Sequence, residues 1–203
     1  LLRLAPDWIG SDSRLAELLA TLRPQAQSEP LRGAFFDAAG RIGSDSRKAD
    51  LLRDILSQEG SDILVVRRVL QLAQGIGSDS RKADLLADAV RYVGQDEAAR
   101  QAFFAAVRLL GSDSKKTQAL QAMLDDSGND PAVLTPLLET ADTIGSDSNR
   151  ASLLSNAARH AAGTPAAREA FFRAVEHVGS SSNQRSVLSA ALKAELDSET
   201  LAR

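Results

Sequence analysis

The feature that most constrains the fold is a tetrapeptide, Gly-Ser-Asp-Ser or a close relative, that occurs six times along the chain. Successive copies follow one another at a nearly constant interval of about 34 residues. A period this regular is typical of solenoids, in which supersecondary units of equal length stack on their neighbours. The sequence therefore predicts six repeats, which begin near Gly10, Gly43, Gly77, Gly111, Gly145 and Gly179.

Within each repeat, the residues after the tetrapeptide have the pattern of an amphipathic helix, here named the first helix. In the second repeat, Ser44 suits an N-cap, and Asp45 stands in the first turn, where the helix dipole favours an anion. We expect Gly43 to end the preceding helix in a left-handed conformation, so that one tetrapeptide stops one helix and starts the next. The apolar face that follows is formed by Leu51, Leu52, Ile55 and Leu56.

A second capping position recurs with the same period and predicts a second helix in each repeat. Two of these capping residues precede Pro131 and Pro165, and proline is a strong start signal at the first helical position because its missing N–H would be unpaired there. Each repeat is therefore predicted to be a helical hairpin. The capping residues are Ser28, Asp62, Asp96, Asp130 and Thr164.

Paired phenylalanines recur in the second helices of odd-numbered repeats, where even-numbered repeats have aliphatic pairs. The first helices of even-numbered repeats have larger side chains than those of the third and fifth. We expect large side chains to meet small ones within a hairpin, because protein cores are close-packed. The phenylalanine pairs, all expected in the core, are Phe35-Phe36, Phe103-Phe104 and Phe171-Phe172.

Both ends of the chain fall inside a repeat. Leu1 to Ile9 has the pattern of the last turns of a second helix, and Ser198 stands nineteen residues after Gly179, where another second helix should begin. The sequence thus predicts an all-α fold, a right-handed α-solenoid of six helix-turn-helix repeats that is truncated mid-repeat at both ends. We expect one repeat domain over residues 1–203, cut from a longer array.

Composition and motifs exclude several classes of function. A net charge of -3 and a pI near 5.5 argue against a dedicated nucleic-acid binder, and no apolar run is long enough for membrane insertion. No nucleotide-binding glycine motif or serine-hydrolase elbow appears. His160 and His177 lie in different predicted helices without a carboxylate at metal-ligand spacing. We therefore expect a non-enzymatic protein that holds no cofactor and no metal.

The 34-residue hairpins resemble the tetratricopeptide class, and stacked amphipathic hairpins in general resemble HEAT-type α-solenoids. The tetratricopeptide consensus itself is absent, since the only tryptophan is Trp8 and the only tyrosine is Tyr92. The phrase Ile-Gly-Ser-Asp-Ser-Arg-Lys-Ala-Asp-Leu-Leu, at 42–52 and 76–86, is similar to helical repeats of bacterial, often membrane-anchored proteins. This resemblance implies a bacterial origin and favours an extracytoplasmic address over a cytoplasmic one, without supplying catalytic residues.

The Ser-Asp loops allow two interpretations. The free backbone donors of a helix N-terminus can hold a phosphate or a carboxylate ligand. Capping and hydrogen bonding between repeats is the favoured interpretation, because aspartates already place carboxylates at these helix starts. A calcium site is disfavoured because the loop supplies one or two carboxylates, whereas calcium takes about 6–8 oxygens. The residues concerned are Asp12, Asp45, Asp79, Asp113 and Asp147, with Ser181 in the sixth repeat.

A ladder of basic residues next to these loops also allows two interpretations. The favoured one is a series of i,i+3 ion pairs with the loop aspartates on a solvated face, each contributing tenths of a kcal/mol. The alternative is a ligand-contacting strip that follows an extended acidic peptide or another polyanion. The ladder, here named the basic strip, consists of Arg47, Lys48, Arg81, Lys82, Lys115, Lys116 and Arg150.

These observations predict a protein-binding or peptide-binding scaffold, in which contacts are spread over successive repeats rather than concentrated in one pocket. The alternative function is a regulatory or sensory extracytoplasmic tail of a larger bacterial membrane protein. A third hypothesis is a purely structural spacer. Open apolar ends would also let molecules stack end to end, so self-association is a further hypothesis.

Overall fold

A computed structural model describes the backbone of residues 5–26, 28–94, 96–161 and 164–201, and side chains as far as residue 194. Every regular element in these ranges is helical, so the predicted all-α class is confirmed. The chain groups into two compact units, 1–106 and 107–203. The right-handed sense of the stack and the assignment of 1–203 to one domain stay predictions.

The first unit holds the helices of the first three repeats. A short helix, α1, precedes the first repeat, and residues 1–4 of the predicted terminal turns lie outside the described residues. A 3-10 turn at Arg23–Gln25 follows α2, and the last two residues of α7 belong to the second unit. The helices are α1 (Ala5–Trp8), α2 (Asp12–Leu22), α3 (Glu29–Gly40), α4 (Asp45–Glu59), α5 (Ile63–Ala73), α6 (Asp79–Val93) and α7 (Glu97–Arg108).

The second unit holds the fourth to sixth repeats. Its helices are α8 (Asp113–Ser127), α9 (Pro131–Ala141), α10 (Asp147–Ala161), α11 (Pro165–Glu176) and α12 (Ser181–Leu201). Within each unit, first helices pack on first helices and second helices on second helices. In 1–106, α2 packs on α4, α4 on α6 and α3 on α5. In 107–203, α8 packs on α10, α10 on α12 and α9 on α11. Each unit is thus a two-layered stack of hairpins.

The helix starts agree with the predicted capping positions. Ser44 and Ser78 accept hydrogen bonds from the backbone N–H three residues later, and Asp62, Asp130 and Thr164 cap second helices in a similar manner. Each of these side chains satisfies a donor that would otherwise have no intrahelical partner. All five second helices begin one residue after their predicted capping residue, which confirms the hairpin pattern.

The sixth repeat differs from the prediction because α12 continues through Ser198 as one 21-residue helix. In the second, third and fourth repeats, another glycine at a constant distance from the first one ends the first helix: Gly60, Gly94 and Gly128. A Cβ at Gly60 would lie 2.2 Å from the Tyr92 ring of the next repeat and 2.6 Å from the Leu56 carbonyl oxygen, so this position has no space for a side chain. The sixth repeat has Leu196 at this position, and nothing in the sequence stops the helix.

The apolar faces form the core as predicted, with one exception among the phenylalanines. Five of the six are almost completely buried, and each pair of neighbours makes an edge-to-face contact with centroids about 5.5 Å apart. Phe172 is 42% exposed, whereas Phe104, at the same position two repeats earlier, is 2% exposed. Burial at this position therefore depends on which repeats surround it, and the prediction that Phe172 is core was wrong.

The two phenylalanines give a matched pair for a test of this dependence. We expect Phe104→Ala to lower the free energy of unfolding by about 3–5 kcal/mol, because it removes a ring from a closed core. Phe172→Ala should cost less than half as much, since its ring already contacts water. Equilibrium urea unfolding followed by circular dichroism would measure both, and equal losses would contradict the described difference in burial.

Candidate functional site

The Ser-Asp loops are joined to one another by the aspartate side chains. The Asp45 carboxylate accepts hydrogen bonds from the backbone N–H groups of Gly77 and Ser78 in the next repeat, at 2.9 and 2.6 Å. We name this arrangement the inter-repeat carboxylate contact. It recurs from Asp12 to Gly43 and Ser44, from Asp113 to Gly145 and Ser146, and from Asp147 to Gly179.

This contact explains the glycine of the tetrapeptide, and the explanation differs from the predicted one. Among the described residues, Gly94 is the one glycine with a positive φ, so Gly43 does not adopt the left-handed conformation expected of it. A Cβ at Gly43 would lie 3.3 Å from a carboxylate oxygen of Asp12, and one at Gly77 would lie 3.2 Å from Asp45. Glycine is favoured at these positions because a Cβ would crowd the carboxylate of the preceding repeat.

The expected capping and inter-repeat hydrogen bonding are therefore confirmed at these loops. The backbone donors that could have held a phosphate or a carboxylate ligand are engaged at Gly43, Gly77, Gly145 and Gly179 by a carboxylate of the chain itself. A hydrogen bond to a charged acceptor stabilises a fold by about 1.5–3 kcal/mol, more than a neutral one. The tetrapeptide thus links successive hairpins through hydrogen bonds.

The basic strip divides into two sets of residues. Its inner set is buried in the helix packing, with Lys82 only 3% exposed. Burial is the main cause that lowers the pKa of Lys82, while the carboxylates of Asp79 and Asp45 act in the opposite direction. The predicted solvated face is wrong for this set because these side chains do not lie in solvent, whereas the attraction of Lys82 to Asp79 agrees with the predicted i,i+3 pairing. The inner set is Lys48, Lys82, Lys116 and Arg150.

Two members of the inner set donate hydrogen bonds to carbonyls at the ends of second helices. Lys116 Nζ lies 2.7 Å from the Thr143 carbonyl oxygen, just beyond α9. The Arg150 guanidinium donates to the carbonyls of Ile144 and Asp142 at the end of α9 and to that of His177 at the end of α11. These cations lie beside the negative ends of helix dipoles, where a positive charge is favourable. Arg150 consequently ties the ends of two successive hairpins together.

The outer set of the basic strip consists of Arg47, Arg81 and Lys115. Arg47 and Arg81 are exposed and Lys115 is half-buried, with Lys115 Nζ 2.8 Å from the Gln118 side-chain oxygen. A ligand-contacting role stays a prediction for these three side chains. The heads of Lys116 and Arg150 already donate to carbonyls, and all four residues of the inner set are buried, so a ligand at the strip would meet the outer set first.

The two histidines occupy separate places in the second unit. His160 Nδ1 lies 2.6 Å from Asn129 Oδ1, and burial together with the charge of Arg159 lowers the His160 pKa. His177 Nδ1 lies 3.0 Å from Asp142 Oδ2, which belongs to the preceding repeat. The sequence did not predict this contact because the two residues are far apart along the chain. No cluster of three or more histidine or acidic side chains that could hold a metal occurs in the described ranges.

A groove between α3 and α5 is the feature that sequence reasoning missed. It encloses about 320 Å³ and has the almost buried Phe36 in its wall. Gly33 leaves it open, since a Cβ there would meet nothing within 4 Å. Leu64 is 53% exposed at its edge, and Arg68 is exposed beside it, 3.5 Å from the Gln71 side-chain oxygen. The groove thus combines an apolar surface with an accessible cation.

The other two arginines of the groove are held by inter-repeat ion pairs. Arg32 lies 2.8 Å from Asp62, and Arg67 binds Asp96 through two N–H groups. The hydrogen bond from Arg67, together with the Ala99 backbone N–H, lowers the pKa of Asp96 to about 2, so this carboxylate is ionised at neutral pH. These pairs fix the walls of the groove. Its two remaining charged side chains, Glu29 and Arg68, are both exposed.

The groove residues are also unusual within the repeat pattern. Leu64 stands where the other repeats have a small residue or proline: Pro30, Ala98, Ala132 and Ala166. Arg68 likewise stands where the others have Ala34, Ala102, Pro136 and Ala170. Stacking of hairpins therefore does not require a large side chain at either position. This comparison between repeats is the sequence signal that could have identified the groove.

Within the described residues, no helix combines the length and the apolar character that a membrane span needs. Comparisons with protein-family models, with curated proteins and with solved structures found no match.

The inter-repeat carboxylate contact predicts a coupling between two substitutions. Gly77→Ala should destabilise the chain, because its Cβ would crowd the Asp45 carboxylate, and Asp45→Ala alone should cost about 1–3 kcal/mol through two lost hydrogen bonds. In the Asp45→Ala background, Gly77→Ala should become neutral or stabilising, since alanine reduces the entropy of the unfolded chain. Urea unfolding of all four proteins would give the coupling energy.

Gly10→Ala is the control for this cycle, because a Cβ at Gly10 would meet nothing within 4 Å. We expect it to change the free energy of unfolding by less than about 0.5 kcal/mol. If the changes in the free energy of unfolding caused by Gly77→Ala and Asp45→Ala are strictly additive, the Asp45 carboxylate is not the reason for a glycine at position 77.

Arg150 allows a test of the buried cations. Arg150→Met keeps an unbranched apolar stem but leaves the carbonyls of Ile144 and His177 without their charged donor, so we expect a loss of about 1–3 kcal/mol. Arg159→Met removes an exposed arginine from the same helix and should change the free energy of unfolding by less than about 0.5 kcal/mol. Thermal and urea unfolding would measure both, and equal effects would refute the tie between hairpins.

Proposed function

We propose that the chain is a non-enzymatic binding module that holds a segment of a partner protein in the groove between α3 and α5. The observation that carries this proposal is the pair Leu64 and Arg68, which are large and exposed at positions where the other repeats have alanine or proline. An exposed leucine beside a groove adds apolar surface that water disfavours, and the stack needs neither side chain. A binding role accounts for both of them.

The chemistry of the groove defines the kind of segment that fits. An apolar side chain of the partner would cover Leu64 and reach the wall formed by Phe36 and the open space at Gly33. A carboxylate next to it would pair with Arg68, and arginine is among the residues that contribute most at protein interfaces. The partner segment is therefore one in which an apolar residue adjoins an aspartate or a glutamate.

The first-helix layer offers a less suitable surface. Two arginines of this layer are already paired across repeats: Arg53 with Asp88 at 2.6 Å, and Arg23, just after α2, with Asp54 at 2.8 Å. A partner that used these cations would first have to break ion pairs of the chain itself. Bacterial origin, and a place in the regulatory or sensory tail of a larger membrane protein, stay predictions from the resemblance of the repeats.

A random peptide library displayed on phage would test the groove while leaving the sequence of the partner segment open. We expect selection against the 203-residue chain to enrich peptides in which an apolar residue adjoins an acidic one. The double variant Leu64→Ser, Arg68→Ser should bind these peptides about tenfold to a hundredfold more weakly, as expected for two interface hot spots. Fluorescence anisotropy with a synthetic peptide would measure the affinities.

The matched control is Arg47→Ser, Arg81→Ser, which alters two exposed arginines of the basic strip in the same unit. It should leave peptide affinity unchanged. If this control abolishes binding while the groove variant retains it, the basic strip is the binding surface and the groove proposal is wrong. The same conclusion about the groove follows if the library yields no peptide whose binding depends on Leu64 or Arg68.

A further inference from the structure

The groove between α3 and α5 has an acidic residue at one end that takes no part in the ion pairs of its walls. Glu29 lies in the first turn of α3, is exposed, and lines the groove together with Leu64 and Arg68. Within the part of the chain that the structure describes, Glu29 forms no ion pair. Its carboxylate is therefore accessible to a molecule in the groove.

The third repeat shows what a glutamate at this position does when the neighbouring arginine is available. Glu97, the counterpart of Glu29, forms an ion pair with Arg100, three residues later, at 2.9 Å. In the first repeat the corresponding arginine, Arg32, binds Asp62 of the next repeat instead, at 2.8 Å. The ion pair in the groove wall thus takes the cation that would otherwise neutralise Glu29.

The exposure of Glu29 is a property of its position in the repeat. Its counterparts in the third, fourth and fifth repeats are exposed as well, although other repeats precede and follow them along the chain. These counterparts are Glu97, Pro131 and Pro165. A hairpin placed before the first repeat would therefore leave Glu29 exposed.

Two contacts show how α3 and α5 are aligned along the groove. Near the start of α3, Arg32 binds Asp62, which is the N-cap of α5. At the end of α3, a Cβ at Gly40 would lie 3.1 Å from Leu72 Cδ2, near the end of α5. The two helices therefore run in the same direction, and their starts lie close to one another.

This alignment gives the order of the accessible side chains along the groove. Leu64 lies about one helical turn beyond the level of Glu29, and Arg68 lies about two turns beyond it, with a rise of about 5.4 Å per turn. The order is an anion, an apolar side chain and a cation, with about 11 Å between the two charges. Charges placed in this way set the register and orientation of a bound partner, because the partner must present the complementary charge at each place.

Given the proposed function of the groove, on which this step rests, we propose that its occupant is an extended segment with a basic and an acidic residue about three positions apart and an apolar residue between them. An extended chain advances about 3.3 Å per residue, so three positions span about 10 Å. The basic residue pairs with Glu29, the apolar residue covers Leu64, and the acidic residue pairs with Arg68. Glu29 is thus a specificity-determining residue, since it disfavours segments that are acidic at both places.

Parallel selections from one displayed peptide library would test the role of Glu29. Against the unchanged chain, we expect enrichment of lysine or arginine about three positions from the acidic residue. Against Glu29→Lys, the basic residue should be lost and an acidic residue should be enriched in its place. The control Asp37→Lys changes an exposed acidic residue of α3 that does not line the groove, and it should select the same peptides as the unchanged chain.

The affinity of one selected peptide would show whether Glu29 and the basic residue act on each other. Glu29→Gln should weaken binding about twofold to fivefold, as expected for an exposed ion pair, and glutamine in place of the peptide's basic residue should have the same effect. The two changes together should weaken binding no more than either one alone. Fluorescence anisotropy would measure all four affinities, and circular dichroism would show that the variants are folded.

The outcomes distinguish a failure of this proposal from a failure of the proposed function. If the selected peptides depend on Leu64 and Arg68 but lack the basic residue, or if the two affinity changes are strictly additive, the proposed function stands and the role of Glu29 is wrong. The role of Glu29 is also wrong if Asp37→Lys alters the selected peptides as Glu29→Lys does. If no peptide depends on Leu64 or Arg68, the proposed function fails, and the role of Glu29 fails with it.

Discussion

The structure depends on one recurring interaction, in which an aspartate at the start of a first helix binds the backbone of the next repeat. The carboxylate stabilises its own helix because it lies at the positive end of the helix dipole. It also stabilises the next repeat, because it accepts hydrogen bonds from two backbone N–H groups just before the first helix of that repeat. Because Asp45 lies close to Gly77, it also disfavours a residue with a side chain at that position. The serine of the tetrapeptide caps the first helix, its aspartate binds the backbone of the next repeat, and its glycine leaves space for the aspartate of the preceding repeat.

The buried cations connect hairpins in a complementary way. A lysine or arginine five residues after the glycine lies near the start of a helix, where its charge is unfavourable for that helix. Its long side chain reaches the carbonyl ends of second helices instead, as Lys116 and Arg150 do. The acidic and basic members of one repeat thus satisfy backbone groups of opposite kinds, donors in one loop and acceptors in another. Neighbouring hairpins are joined by polar contacts as well as by apolar packing.

The sequence predicts the local structure well because the period and the caps are local signals. The 34-residue spacing locates every hairpin, and Asp62, Asp130 and Thr164 mark second helices to within one residue. The predictions that failed concern contacts between repeats. The burial of Lys82, the reason for Gly43 and the exposure of Phe172 each depend on a neighbouring hairpin, which no single repeat encodes. The groove was missed because its signal lies in a difference between repeats.

Differences between repeats separate what stacking requires from what it permits. A position that must pack against both neighbours, such as that of Leu52, keeps a leucine in each of the six repeats. Positions that face solvent are free to vary, because no neighbouring hairpin constrains their size. Leu64 and Arg68 are departures that the stack does not need, and Ser181 is a departure that removes a contact the stack otherwise uses. In an array of near-identical units, such departures are the places where a particular function can be encoded without disturbing the fold.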